Sequence, residues 1–319
     1  MITAELRRAI AAAAGDPDAD PQFRPGPQPG SYSSSLPFRL ARDPRVYAQT
    51  LADRLAAEPW IDQAEVTGPG YLTVTVTRDA LAGLAVRIAR AGPACAASDA
   101  LHGHTAPGPA ADLTAAPDWP SARAAFAAEV TGRLAATAGA TVTFDLERSV
   151  VPPPAPASPV AVAVAYAGID AVRFALARMP PGGVPPQPAI IARHVLVNPA
   201  YAVRYAHAAS AAVLRWSAAL GTEPGGFRPR LLMAPQELAL LDALSWLPER
   251  VAVAARRGRP DDFAGYLEEL AARTIDTMST TGFTMISSIS SERLWLAAAA
   301  RTGLAAGLGL LGVGAPERI

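Results

Sequence analysis

The stretch Asn198-Pro-Ala-Tyr-Ala-Val-Arg-Tyr-Ala-His-Ala208 decides how the second half of this 319-residue chain is read. Tyr201, Tyr205 and His207 stand at i, i+4 and i+6 of one helix, which puts both tyrosines on a shared face with Arg204 beside them. Aromatic rings and a guanidinium on such a face suit stacking on unpaired bases and holding phosphates. The same residues also suit plain helix packing, with His207 satisfied by a buried partner. From Val160 onward the pattern around this stretch is helical, broken at PPGGVPPQP, at GTEPGGFRP and around Gly258 to Pro260. An all-α bundle over residues 160–319 follows. Its last long apolar run, Leu294 to Val313, is interrupted by Arg301 and four glycines, which reads as a buried helix rather than a membrane span.

Working back towards the N-terminus, VVPPPAPASP is a stiff Pro-rich linker. Residues 96–159 open with a loop of Gly, Pro and His, then offer one helix from about Ser121 to Ala138 and one strand, ATVTFDL. Residues 1–95 read as a compact α+β module. It starts with an amphipathic helix, followed by a Pro/Gly/Asp/Ser loop after which order resumes near Tyr32. Asp43 is an N-cap with Pro44 at the first helical position, and Val46, Leu51 and Leu55 fall at helical spacing. DQAEVT and YLTVTV are strands joined by the Gly68-Pro69-Gly70 turn, and Arg78 to Ala91 returns to helical periodicity.

Composition bounds the function. Half the residues are apolar, 28 arginines balance 28 acids, and no lysine occurs anywhere. Neutral net charge announces no polyanion partner globally, although residues 160–319 hold 15 arginines against 12 acids. The single cysteine, Cys95, excludes an internal disulfide framework and has no basic or His neighbour to activate it. No signal peptide is evident, and a cytoplasmic, soluble protein is expected. No residue set suggests a metal site or a cofactor. His102-Gly103-His104 reads as a solvated loop, and no acid, base and nucleophile constellation is visible. Arg256, Arg257 and Arg259 form the densest basic cluster, either a solvated helix end or a set of phosphate contacts.

The residues NPAYAVRYAHA, with IDAVRFALAR before them and APQELALLDALSWLPERV and LAAGLGLLGVGAPERI after, resemble the DALR anticodon-binding domain of arginyl-tRNA synthetases. At the other end, GSYSSS…EVTGPGYLTVTV resembles the additional domain that opens those enzymes, with the match carried by Gly30, Tyr32, Gly68, Pro69, Gly70 and Tyr71. The resemblance implies anticodon-side tRNA contacts at Tyr201, Arg204, Tyr205, His207 and Arg301. It further implies elbow-side contacts at Tyr32 and Tyr71. Departures are visible too: Arg204 stands where Gln is common in the family and Ala209 where Arg is usual.

Between the two matches, residues 96–159 resemble a reduced remnant of the family's nucleotide-binding domain, with DLTAAP laid where a strand would end and no HIGH tetrapeptide. The family's adenylate chemistry needs those histidines and a KMSKS lysine to stabilise phosphate charge. The expected fold is therefore an α+β N-terminal domain, a reduced α/β remnant and an all-α bundle. The expected function is tRNA binding without arginine–tRNA ligase activity, with no membrane or DNA partner. One alternative is a regulatory module that binds a synthetase or another protein of translation or amino-acid metabolism. A residual tRNA-dependent transferase is a third.

Overall fold

The computed structural model describes residues 1–108, 112–143, 158–285 and 289–319. The first module runs α1 (Ile2–Ala14), β1 (Arg24–Pro25), β2 (Ser31–Ser34), α2 (Pro37–Leu40), α3 (Pro44–Leu55), β3 (Ile61–Thr67), β4 (Tyr71–Val76) and α4 (Arg78–Ala91). Its antiparallel sheet has the order β1-β2-β4-β3, with Tyr32 opposite Val74 and Val66 opposite Leu72. The Asp43 carboxylate accepts from the amides of Arg45 and Val46, so the N-cap and the Pro44 start of α3 are as expected. The turn before β4 presses onto that helix start. Gly70 has φ 143°, and a Cβ there would lie 2.8 Å from Pro44.

Two expectations for this module change. Order resumes near Tyr32 as expected, but it does so as a strand, β2, in a Ser-rich stretch that reads as loop, because pairing with β1 and β4 satisfies its backbone. Val46 is exposed: α3 buries Ala48, Leu51, Ala52 and Leu55, a stripe at i, i+3, i+4 and i+7 with which Val46 is out of phase.

The middle segment holds β5 (Thr105–Pro107), α5 (Trp119–Thr137) and β6 (Thr141–Thr143). β5 and β6 pair in parallel, Ala106 opposite Val142, so α5 is the crossover of one β-α-β unit. DLTAAP does not form a strand: Leu113–Ala115 is a single 3₁₀ turn whose Asp112 accepts from the amide of Thr114. His104 sits immediately before β5 on an exposed turn, at the N-terminal side of the strand rather than at a strand-to-helix junction. The remainder of ATVTFDL beyond Thr143 and most of the Pro-rich linker lie outside the described residues.

The bundle comprises α6 (Pro159–Ala167), α7 (Ile169–Arg178), α8 (Pro188–Ile191), α9 (Pro199–Ala219), α10 (Pro235–Ser245), α11 (Leu247–Arg257), α12 (Pro260–Met278), α13 (Thr281–Thr284) and α14 (Ser291–Leu310). α14 is its central buried helix, packed on α9, α12 and α4. At Gly307 a Cβ would meet Leu267 at 2.3 Å, so the bare backbone sets how closely α14 approaches α12. Among the described residues, no helix is long and apolar enough to cross a membrane.

The two end regions do not stand apart. One continuous set of buried side chains runs from Ile2 and Leu6 through Leu84 and Ile88 to Leu296, Leu304 and Leu308. Polar bonds cross the junction as well. Tyr32 Oη donates to Ser245 Oγ at 2.7 Å, Gly30 N to Asp242 Oδ1 at 2.8 Å, and Arg7 Nη2 to Glu249 Oε2 at 2.6 Å. Burial pushes the Asp242 carboxyl above its usual range, an effect the Gly30 amide opposes. The middle segment is tied in by Glu129, buried on α5, which accepts from Arg133 and, at 3.0 Å, from Arg173 of α7.

Candidate RNA-binding face

α9 begins at Pro199, and Asn198, the residue in the N-cap position, uses its side chain elsewhere. Its amide donates to the carbonyls of Ile191 (2.8 Å) and Arg193 (2.7 Å), which pins the loop arriving from α8. That loop holds the exposed His194 ring against Tyr201, with centroids 5.4 Å apart and planes at 13°. Tyr201 in turn stacks on Tyr205 at 5.9 Å and 26°, as side chains one turn apart can. The result is a ladder of three rings along the outer edge of α9.

At Tyr205 the ladder opens into a cavity of about 480 Å³ lined by Ala209, Ala212, Trp216, Ile275, Phe283 and Arg318. Tyr205, Ala209, Ala212 and Trp216 follow one another at i, i+4, i+7 and i+11 of the same helix face. The two alanines leave space between the larger rings. Trp216 is 56% exposed, an unusual state for so large an apolar ring. Arg215 and Arg318 bring positive charge to the cavity wall.

The segment after α14 is strapped over α9 and so delivers Arg318 there. Gly314 N donates to Asp170, His207 Nδ1 donates to the Pro316 carbonyl at 2.9 Å, and Arg215 donates to the Glu317 carbonyl at 2.6 Å. Arg301 pairs with the Glu317 carboxylate at 2.9 Å.

Of the residues expected on the anticodon side, Tyr201 and Tyr205 are brought together. Arg204 lies next to them, with a 3.5 Å ion pair to Asp170. His207 does not belong to this face. It is 2% exposed and tethers the strap, and burial holds its pKa below the ordinary histidine value despite the Pro316 carbonyl and Glu317. Arg301 lines a different hollow, with Ala89, Thr137 and His207. The residues missed by sequence reading are His194, Arg215, Trp216 and Arg318. Trp216 was findable, because the tyrosine phase continued for two further turns reaches it; His194 was not, because its place depends on the Asn198 bonds.

On the elbow side, Tyr32 is corrected. It is 1% exposed, its hydroxyl is spent on Ser245, and its ring lies 5.1 Å from that of Trp246, so it holds the junction together and has no surface to offer RNA. Tyr71 is half-buried beside Phe38, at 4.9 Å, and keeps an outward edge. The arginine cluster also divides. Arg259 is engaged by Asp261 at 2.8 Å, a pairing that raises its pKa further, and Arg257 reaches Asp262 at 3.5 Å. Arg256 pairs with Asp20 of the N-terminal loop at 3.1 Å.

The helical bundle and the small α+β module joined to it each match a known domain family. Residues 203–319 match the family model described as the DALR anticodon binding domain, and residues 1–76 match the Arginyl tRNA synthetase N terminal domain. The chain is an arginyl-tRNA synthetase-like protein. The arginine–tRNA ligase of Clavibacter sepedonicus is 39% identical over 158 residues, which cover 48% of this chain and 28% of that protein. That of Paenarthrobacter aurescens strain TC1 is 37% identical over 162 residues, covering 49% and 30% respectively. The matched part of the chain thus spans less than a third of the length of these curated relatives. The fold is similar to that of the Thermus thermophilus arginyl-tRNA synthetase, with a TM-score of 0.68 at 15% identity in an alignment covering 100% of each chain.

Proposed function

We propose that the chain binds tRNA without charging it, presenting the outer face of α9 to unpaired bases of the anticodon loop. The observation that carries this reading is the His194–Tyr201–Tyr205 ladder running into a cavity bordered by the exposed Trp216, Arg215 and Arg318. Solvent-facing stacked rings make a platform for bases, and each base–aromatic stack contributes about 1–3 kcal/mol. Flanking guanidinium groups supply phosphate attraction. The absence of lysine throughout the chain supports the noncatalytic part, since the family's adenylate step uses a lysine against developing phosphate charge. Tyr71 remains the elbow-side candidate and Tyr32 drops out.

Filter binding of a tRNA pool against a generic polyanion, across a salt series, tests the proposal. Selective retention of tRNA that persists as salt rises supports it; equal retention of both sinks it. Arginine-dependent exchange of pyrophosphate into ATP is expected to be absent.

A second reading is favoured by one separate feature. The segment from Val184 to Val197, which includes α8, leaves Val184 at 87% and Val197 at 89% exposed, with Ile190 and Leu196 near half. Clustered apolar exposure of this kind is suited to a protein partner. Affinity capture that enriches a defined protein and no tRNA would favour this regulatory role over RNA binding.

A further inference from the structure

A cleft of about 330 Å³ separates the N-terminal loop and β1 from the outer face of α11. Arg24 enters from β1, while Arg250, Arg256 and Arg257 enter from α11. Arg250 and Arg257 lie two helical turns apart on one face, so guanidinium groups from both ends of the helix open into the same space. Their engagement is incomplete. Among the described residues neither Arg24 nor Arg250 has an ion-pair partner, and the buried Nε of Arg250 has no hydrogen-bond acceptor. Arg250 is instead held over the Trp246 ring, 5.6 Å from its centroid, which fixes the guanidinium plane without neutralising it.

The acids of the cleft and its N-terminal border, Glu249 and Asp20, are committed. Glu249 lines the cleft but accepts from Arg7 at 2.6 Å, and Asp20 accepts from Arg7 at 2.5 Å while pairing with Arg256. The cleft's own lining holds four guanidinium groups, those of Arg24, Arg250, Arg256 and Arg257, against the single carboxylate of Glu249, while Asp242 and Glu269 share a neighbouring hollow with Arg250. A phosphate monoester carries close to two negative charges near neutral pH and offers three acceptor oxygens. Arginine forks match those oxygens in pairs.

We infer that this junction cleft is a phosphate-binding site, taking either the phosphate group of a small molecule or a backbone phosphate of RNA, and that its occupant bridges β1 to α11. The site is distinct from the aromatic face of α9 and does not depend on it. A bound phosphate would draw Arg24 towards Arg250 and stiffen the contact between the first module and the bundle. Ligand binding to the folded state alone would then raise thermal stability with concentration.

Calorimetric titration of the full chain with inorganic phosphate, against chloride at matched ionic strength, is the test. One saturable site is expected, weakened by about tenfold or more in Arg24→Gln and in Arg250→Gln, since each removes a charged hydrogen-bond donor. Arg24 is exposed on a two-residue strand, so its replacement leaves the fold intact and keeps the result interpretable if Arg250→Gln is unstable. Absence of saturable binding, or unchanged binding in Arg24→Gln, overturns the inference. A tRNA arm separates the sources. Competition between phosphate and tRNA, with a shallower salt dependence in Arg24→Gln, marks an RNA phosphate. Phosphate binding that leaves tRNA retention untouched marks a small phosphorylated ligand. Phosphate binding can thus succeed where tRNA binding fails, and the reverse.

Discussion

Tyr32 and Tyr205 carry the same side chain and the same initial expectation of RNA contact, yet the molecule uses them in opposite ways. Tyr32 lies at the junction of the first module and the bundle, 1% exposed and bonded through its hydroxyl to Ser245. Tyr205 lies on the outer edge of α9, stacked on Tyr201 and open to a cavity. The first ring is bonded and enclosed on every side, whereas the second stands preorganised beside space that a base can fill. An aromatic residue in a matching motif therefore implies binding only where its face is left open, and burial decides between the two uses before chemistry does.

The largest effect tests the closed side of this contrast. Tyr32→Ala is expected to destabilise the chain by about 3–5 kcal/mol, as for other large buried aromatics, measured by urea denaturation. Tyr32→Phe, which removes only the bond to Ser245, is expected to cost about 1–2 kcal/mol. A neutral Tyr32→Ala would break the comparison. Glu129→Gln comes next, at roughly 2–3 kcal/mol, less than a fully buried pair because Arg133 and Arg173 keep some exposure. Its loss should appear in one cooperative transition, since α5 belongs to the same core as the bundle. A separate early transition for the middle segment would contradict that.

On the open side, Tyr205→Ala is expected to weaken tRNA binding by about 1–3 kcal/mol in filter assays. Its stability should change by under about 1 kcal/mol, because the ring is not enclosed. The smallest effect concerns His207. Its folded pKa is depressed below the ordinary 6.5, chiefly by burial and also by Arg301, against the raising influence of the Pro316 carbonyl and Glu317. As pH falls below about 6.5 the unfolded chain takes up a proton that the folded chain resists, so stability declines with acidification in that window. His207→Gln is expected to flatten that slope between about pH 6.5 and 5, read from urea midpoints. A slope identical to that of the unsubstituted chain would remove His207 as its source.

Elements set by local chemistry were legible in the sequence. Asp43 and Pro44 mark the start of α3, Gly68-Pro69-Gly70 marks the turn into β4, and the tyrosine spacing marks α9. Elements that depend on distant partners were not. Ser31–Ser34 is a strand because β1 and β4 lie beside it, and Val46 faces outward because the α3 stripe is set by Ala48. At the site the pattern is similar. The phase along α9 points to Trp216, whereas the position of His194 rests on Asn198 reaching back to Ile191 and Arg193, and that of Arg318 on the strap bonds to His207 and Arg215. The burial of Tyr32 depends on Ser245, 213 positions away in the chain.

The most direct test of the central claim is tRNA affinity, measured side by side for the unsubstituted chain, Tyr201→Ala/Tyr205→Ala and Tyr32→Phe under conditions where all three are folded. The account predicts a loss of at least about tenfold in the α9 double variant and affinity within about twofold of the original in Tyr32→Phe. Equal affinity in the double variant, or a loss confined to Tyr32→Phe, would contradict it.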